Sequence, residues 1–196
     1  MDTRVRAVLD EVATAAAQHD AGIADRLLRW RVLEEDAGQL LAVLVRATGA
    51  HEVVEVGTSR GVSTLWLADA VRATGGRVVS LDPDAAAQAA AAENVARAGL
   101  ADHVTFTAVD GGSYLARMPD AAIDLLFLDA ERTEYPGWWP HPLRVLRPGG
   151  LLVADNATSH PDEIAPFAAL LRAEPGVTTT IATVGKGELI AVRDPY

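Results

Sequence analysis

Short runs of β-branched and aliphatic residues alternate along most of this chain with stretches of helical rhythm, and no other feature narrows its fold as far. The runs are HEVVEVG (51–57), GRVVSLD (76–82), HVTFTAVD (103–110), IDLLFLDA (123–130) and PGGLLVADN (148–156). Helical patterns follow three of them: Val62 to Ala73, an alanine-rich stretch to Ala98 that closes on Gly99, and about Asp162 to Ala173. Strands this apolar are covered on both faces, and strands separated by helices pair in parallel through right-handed crossovers. The alternation breaks at the end, where VTTTIATV and ELIAV flank Gly185-Lys186-Gly187, the signal of a tight antiparallel hairpin. Before the first run, residues 2–18 and about 36–47 read as two helices, the second with Leu40, Leu41, Leu44 and Val45 on one face. The expectation is a doubly wound α/β chain. Its mostly parallel sheet of seven strands ends in an antiparallel hairpin strand, with helices on both faces. One domain over 1–196 accommodates the pattern, with 1–47 as an N-terminal helical cap segment.

Composition removes several classes of function. Hydrophobic residues make up 49% and charged ones 22%, the mix of a globular chain. The absence of cysteine excludes a disulfide framework, a thiolate metal site and a cysteine nucleophile. A formal net charge of -10 argues against nucleic acid as partner, since phosphates are met by a basic face. No apolar run approaches the roughly 20 residues that span a bilayer, and MDTRVRAVLDEVATAAAQHD lacks the basic-then-apolar order of a signal peptide. A cytoplasmic location without a membrane partner is expected.

In an open sheet of this kind, ligands bind in the crevice beyond the carboxyl ends of the strands. An acid stands at or beside each of those ends: Glu55, Asp82, Asp110, Asp129 and Asp155. Any one of them has an ordinary explanation as a helix cap. Five on one edge repel one another unless cations, hydroxyls or amides receive them. The first turn, EVGTSRG, fails the dinucleotide fingerprint, because Ser59 and Val62 stand where glycine is needed after Gly57. What remains is a tight turn without a pyrophosphate cradle, while Asp82 suits the two hydroxyls of a ribose. A nucleoside without pyrophosphate, such as S-adenosylmethionine, fits better than NAD. Asp129, Asp155 and Asn156 add two carboxylates and an amide oxygen at neighbouring strand ends, a donor set for a hard divalent cation, Mg²⁺ first.

At EVGTSRGVSTLWLA, VVSLDPD, FLDAERTEY and VADN the chain resembles the cation-dependent class I S-adenosylmethionine O-methyltransferases, the group of catechol and caffeoyl-CoA O-methyltransferases. The resemblance runs from about Leu33 to the terminal hairpin and implies a Rossmann-like sheet. It also implies site residues. Glu55, Gly57, Thr58 and Ser63 would line the methionine end and ribose side of the cofactor, Asp82 the ribose hydroxyls, Asp110 and Gly111 the adenine, and Glu131 would lie beside the cofactor. Asp129, Asp155 and Asn156 would hold the metal, with His160 and Tyr135 toward the substrate, although Tyr135 equally suits packing at the strand–helix corner. The implied reaction is metal-assisted methyl transfer to a small catechol-like or vicinal-diol acceptor, with Asp129 and Arg132 catalytic. A homodimer is the implied assembly. Arg132 departs from the family, which usually has lysine there. Arginine stays protonated, so its expected role is to stabilise the oxyanion or anchor a substrate acid. Lys186, the one lysine among 17 basic residues, is not expected to substitute from its hairpin. Trp30, Trp138 and Trp139 suit either a wall for a flat ring or core and dimer contacts. Competing readings are a metal-independent methyltransferase with another acceptor, a nucleotide-cofactor oxidoreductase, and a non-catalytic module that keeps the fold.

Overall fold

In the computed structural model, which describes residues 1–25 and 28–195, seven strands form one sheet among those residues. They are β1 (Glu52–Val56), β2 (Arg77–Leu81), β3 (Val104–Thr107), β4 (Ile123–Leu128), β5 (Leu146–Ala154), β6 (Val177–Ala182) and β7 (Glu188–Arg193). Their order across the sheet is β3-β2-β1-β4-β5-β7-β6. The first five pair in parallel, and β7 runs antiparallel between β5 and β6. The order reverses between β1 and β4, which is where a doubly wound sheet opens a crevice.

Helices α1 (Thr3–Asp20), α2 (Glu35–Thr48), α3 (Val62–Thr74) and α4 (Ala85–Arg97) pack on one face, joined by Val5, Leu41, Leu65 and Val95 to Val53, Leu125 and Phe127 of the sheet. The other face carries α5 (Gly111–Arg117), α6 (His141–Arg144) and α7 (Pro161–Ala173), with Leu115, Leu143, Phe167 and Leu171 against Val54, Leu126 and Leu152. Apolar side chains on both faces of each central strand are what the unbroken apolar runs require. Local signals set the ends. Asp2 accepts from the Arg4 amide at the start of α1, and Gly49 at φ 63° ends α2 in the left-handed conformation. Two short helices, α5 and α6, and a 3-10 segment over Arg132–Trp138 were not expected. They are too short to show a helical period, and Asp110 starts α5 by accepting from the Ser113 amide. No helix among the described residues is long and apolar enough to cross a membrane.

The carboxyl ends of β1, β2 and β4 are laced together at Gly57. Its amide donates to Leu81 O at 2.8 Å, and the Asp129 amide donates to Val56 O at 2.8 Å. Gly57 sits at φ 105°, and a Cβ there would lie 2.1 Å from Asp129 O, a backbone atom that cannot swing aside. Gly57→Ala is therefore expected to lower unfolding free energy by at least about 2 kcal/mol. Urea denaturation with an unchanged slope but an earlier midpoint would register it.

Candidate functional site

Beyond those strand ends opens a cavity of about 940 Å³. Its floor is the turn after β1 and the residues that follow β2, β4 and β5; its far wall is built from α1 and the segment 28–34. Gly57, Asp82, Asp110, Gly111, Asp129, Glu131, Arg132, Asp155, Asn156 and His160 all line it, so the structure brings most of the expected site residues together.

Asp82 organises the first turn. Its Oδ2 accepts from the amides of Thr58 and Ser59 at 3.1 and 3.2 Å, and its Oδ1 from Asp84 at 2.9 Å. These bonds fix the carboxylate with its edge toward the cavity. Asp110 caps α5, and the Ser113 bonds hold its carboxyl below the usual range. Gly111 is needed beside it, because a Cβ there would stand 2.3 Å from Val56 Cγ1.

Three expected cofactor contacts are corrected. Glu55, Thr58 and Ser63 do not line the cavity; their side chains are buried beneath its floor. Glu55 Oε2 accepts from Thr64 Oγ1 at 2.5 Å and Ser80 Oγ at 2.6 Å, and Oε1 has no hydrogen-bond partner. Thr58 Oγ1 meets Ser80 Oγ at 2.7 Å and accepts from Gln88 Nε2 at 2.8 Å. The three side chains thus brace the turn, while Gly57, Ser59 and Arg60 are the residues of it that reach the cavity. Gln88, on α4, was invisible in the sequence because its role arises from a helix docking under the turn. Burial lifts Glu55 to about 7, against the pull of the Ser63, Ser80 and Thr64 hydroxyls.

The oxygen donors after β4 and β5 converge. Asn156 Nδ2 donates to Asp155 Oδ2 at 2.8 Å and reaches Asp129 Oδ1 at 3.4 Å, while Asn156 Oδ1 accepts from Ser159 Oγ at 3.1 Å. Asn156 adopts φ 71°, a conformation asparagine tolerates better than most residues. Burial and the Asp155 charge push Asp129 up to about 8. Burial likewise pushes Asp155 up, against the Asn156 amide and Lys186. A third acid, not foreseen, lies next to them. The β5–β7 register pairs Ala154 with Leu189, which sets Glu188 opposite Asp155. Glu188 is fully buried, neither carboxyl oxygen has a partner, and burial with the Asp155 charge lifts it to about 9. Among the described residues no three histidine or acidic side chains by themselves form a cation cage. Two carboxylates plus an amide do fit a hard cation. A half-turn of the Asn156 amide exchanges its nitrogen for oxygen, and the buried acids have too few cations around them.

The acceptor side differs from expectation at three positions. Tyr135 is fully buried and does not face the cavity; its hydroxyl accepts from the Ala130 amide at 2.7 Å and its ring packs on Trp138 and Phe167. Arg132 reaches the cavity wall, but its Nε and Nη2 are bound to Glu163 Oε2 at 2.9 and 2.6 Å, so it arrives as the buried half of an ion pair whose acid is partly exposed. Lys186 does reach the site from the hairpin, contrary to expectation. It lines the cavity with Asp129, Asp155 and Asn156, and its Nζ pairs with Glu34 Oε1 at 2.7 Å. His160 lines the cavity with Nδ1 2.9 Å from Ser159 Oγ. Trp30 forms part of the wall between His19, stacked at 4.2 Å, and the Arg60 guanidinium, 3.9 Å over its ring. Trp138 is also at the wall, whereas Trp139 lines a separate cavity of about 280 Å³. Arg31 approaches Glu131 at 3.6 Å.

A family model described as O-methyltransferase matches residues 7–187. An O-methyltransferase by name from Mycolicibacterium vanbaalenii is 34% identical over 171 residues, covering 80% of this chain and 75% of that protein. A catechol O-methyltransferase of Niastella koreensis is 36% identical over 122 residues, 61% of this chain and 55% of its own. Among solved structures, an O-methyltransferase of Bacillus cereus in complex with SAH superposes with a TM-score of 0.76 at 29% identity, covering 99% of this chain and 92% of that one. An O-methyltransferase of tomaymycin synthesis from Streptomyces achromogenes, in complex with SAM, gives 0.76 at 28% identity, with 99% and 91% covered.

The buried Glu55 gives the fold a pH dependence. Between about 4.5 and 7 the folded state holds a proton that the unfolded chain has released, so the Glu55 contribution to stability falls as pH rises through that window and levels off above it. Glu55→Gln is expected to flatten this slope. Relative to the parent it should gain about 2 kcal/mol at pH 8.5 and gain nothing at pH 4.5, measured by urea denaturation at the two values.

Proposed function

This chain belongs to the O-methyltransferase family and is an S-adenosylmethionine-dependent enzyme of it, and we propose that it methylates a hydroxyl of a small catechol-like or vicinal-diol acceptor with the help of a divalent cation. The observation that carries this reading is the convergence of Asp129, Asp155 and Asn156 on one point of the cavity floor, next to the turn that Asp82 organises.

S-adenosylmethionine, when bound, supplies the methyl group on a sulfonium that loses its charge on transfer. Asp82, already fixed by three backbone amides, would take the ribose hydroxyls, and Gly57 leaves its own position open for close approach. Asp110 and Gly111 line the cavity where the adenine would extend. The cation, held by Asp129, Asp155 and Asn156, would orient two vicinal oxygens and make the phenol more acidic. The residues themselves contribute geometry and a dry floor. Asp129 and Asp155 are locked to the strands by Val56 O and Leu128 O, and the packing behind them excludes water from their rear. Alignment of this kind accounts for a large share of catalysis in a direct transfer between two bound reactants.

Calorimetric titration with S-adenosylmethionine, followed by a panel of catechols with Mg²⁺ or with EDTA, tests the proposal. Binding of the cofactor and at least a tenfold loss of transfer in EDTA are expected. Asp155→Ala should cost about 10²-fold in transfer with cofactor affinity unchanged. Transfer that proceeds at full rate in EDTA would instead support the metal-independent alternative.

A further inference from the structure

The acceptor reading leaves a charge unassigned. A phenol oxygen on its way to the methyl carbon carries negative charge, and a positioned donor stabilises it. Arg132 has already committed two of its donors to Glu163. Another cation is held rigidly at the same site. The carbonyl of Lys186 accepts from Thr158 N at 2.9 Å, Ser159 N at 3.1 Å and Thr158 Oγ1 at 2.6 Å, and the Ala157 amide donates to Gly187 O at 2.8 Å. The loop that follows Asp155 and Asn156 is therefore bonded directly to the hairpin tip. Gly187 makes the approach possible, since a Cβ there would lie 2.5 Å from Thr158 Cγ2. On its other side the Gly185 amide donates to Asp36 Oδ2 at 2.9 Å, and Glu34 holds the ammonium at 2.7 Å.

A simpler account makes the Glu34–Lys186 pair a clasp between α2 and the hairpin. The Gly185 amide on Asp36 already joins those two elements, and an ion pair this exposed adds about 0–1 kcal/mol. Nor does the clasp need a lysine. The chain uses arginine at every other basic position and keeps its single lysine in the lining of the cavity that Asp129 and Asp155 also line. A compact ammonium delivers a point charge to one oxygen, which a planar guanidinium does less well.

We propose that Lys186 is the acceptor-side catalytic residue of this enzyme, its ammonium hydrogen-bonding the reacting oxygen, with Glu34 as the residue that positions it. This rests on the catechol-like acceptor proposed above. The acceptor O–H bond breaks and its proton leaves to solvent; the O–CH₃ bond forms as S–CH₃ breaks; the ammonium keeps its protons throughout. Glu34 favours that charge state, raising the lysine's proton affinity above the ordinary value despite burial.

The test uses a nitrocatechol, whose absorbance reports ionisation, bound to the full chain with S-adenosylhomocysteine and Mg²⁺, beside kcat and KM for methyl transfer. In Lys186→Met the proton affinity of the bound nitrocatechol should rise about 10–100-fold and kcat fall about 10²-fold. S-adenosylmethionine affinity should not change. Lys186→Arg should recover part of both losses, and Glu34→Gln should fall between parent and Lys186→Met. Unchanged ionisation and kcat in Lys186→Met, with only a lower melting temperature, would overturn the proposal and leave the clasp. A parent enzyme that binds S-adenosylmethionine but neither binds the nitrocatechol nor methylates any catechol would overturn the acceptor reading itself, and this role with it.

Discussion

Carboxylates crowded at one edge of a sheet, in a medium that screens them poorly, set the terms for everything built around them. Burial pushes Asp129, Asp155 and Glu188 toward the neutral form, and the Asp155 charge adds to the push on the other two. Such a group is tolerated only if positive charge or hydrogen-bond donors arrive to meet it. The fold supplies some of these itself: the Asn156 amide between two carboxylates, the Lys186 ammonium, and the Arg31 guanidinium farther off. Glu188, whose two oxygens find no such donor, meets the same cost by holding its proton, its carboxyl being lifted to about 9.

The scaffold meets this electrostatic cost with very close backbone packing. Strand ends are joined at Gly57 and Asp129, at Asp155 and Leu128, and at the Asp82 carboxylate that gathers the first turn. Below the turn, Glu55, Ser80, Thr58 and Gln88 form one hydrogen-bonded chain. Rigidity here has a direct use, because a transfer between two bound reactants depends on the distance and angle at which they are held.

Most of the sheet was legible in the sequence, since apolar runs and the helices between them encode a parallel sheet through burial on two faces. The acids at the strand ends were legible for the same reason: a strand's end is also an address in three dimensions. Side-chain direction was not. Glu55, Thr58 and Ser63 sit in a recognisable motif, but nothing in the motif says that their side chains turn under the floor rather than into the cavity. Tyr135 keeps its spacing from Asp129 and spends its hydroxyl on the Ala130 amide. Lys186 and Glu188 were missed because their proximity to Asp155 depends on the pairing of β7 with β5, a contact between distant segments that local pattern does not register.

That same pairing orders events during synthesis. β7 slots between β5 and β6, so the strand that finishes the sheet's interior is the last of the seven in chain order. Until it emerges, β5 presents an open edge, the kind of surface that invites mispairing with other chains. Seating of Lys186 and Glu188 beside Asp155 and protection of that edge therefore come in a single docking step. A chain with β7 undocked has neither the finished cavity wall nor a covered β5 edge.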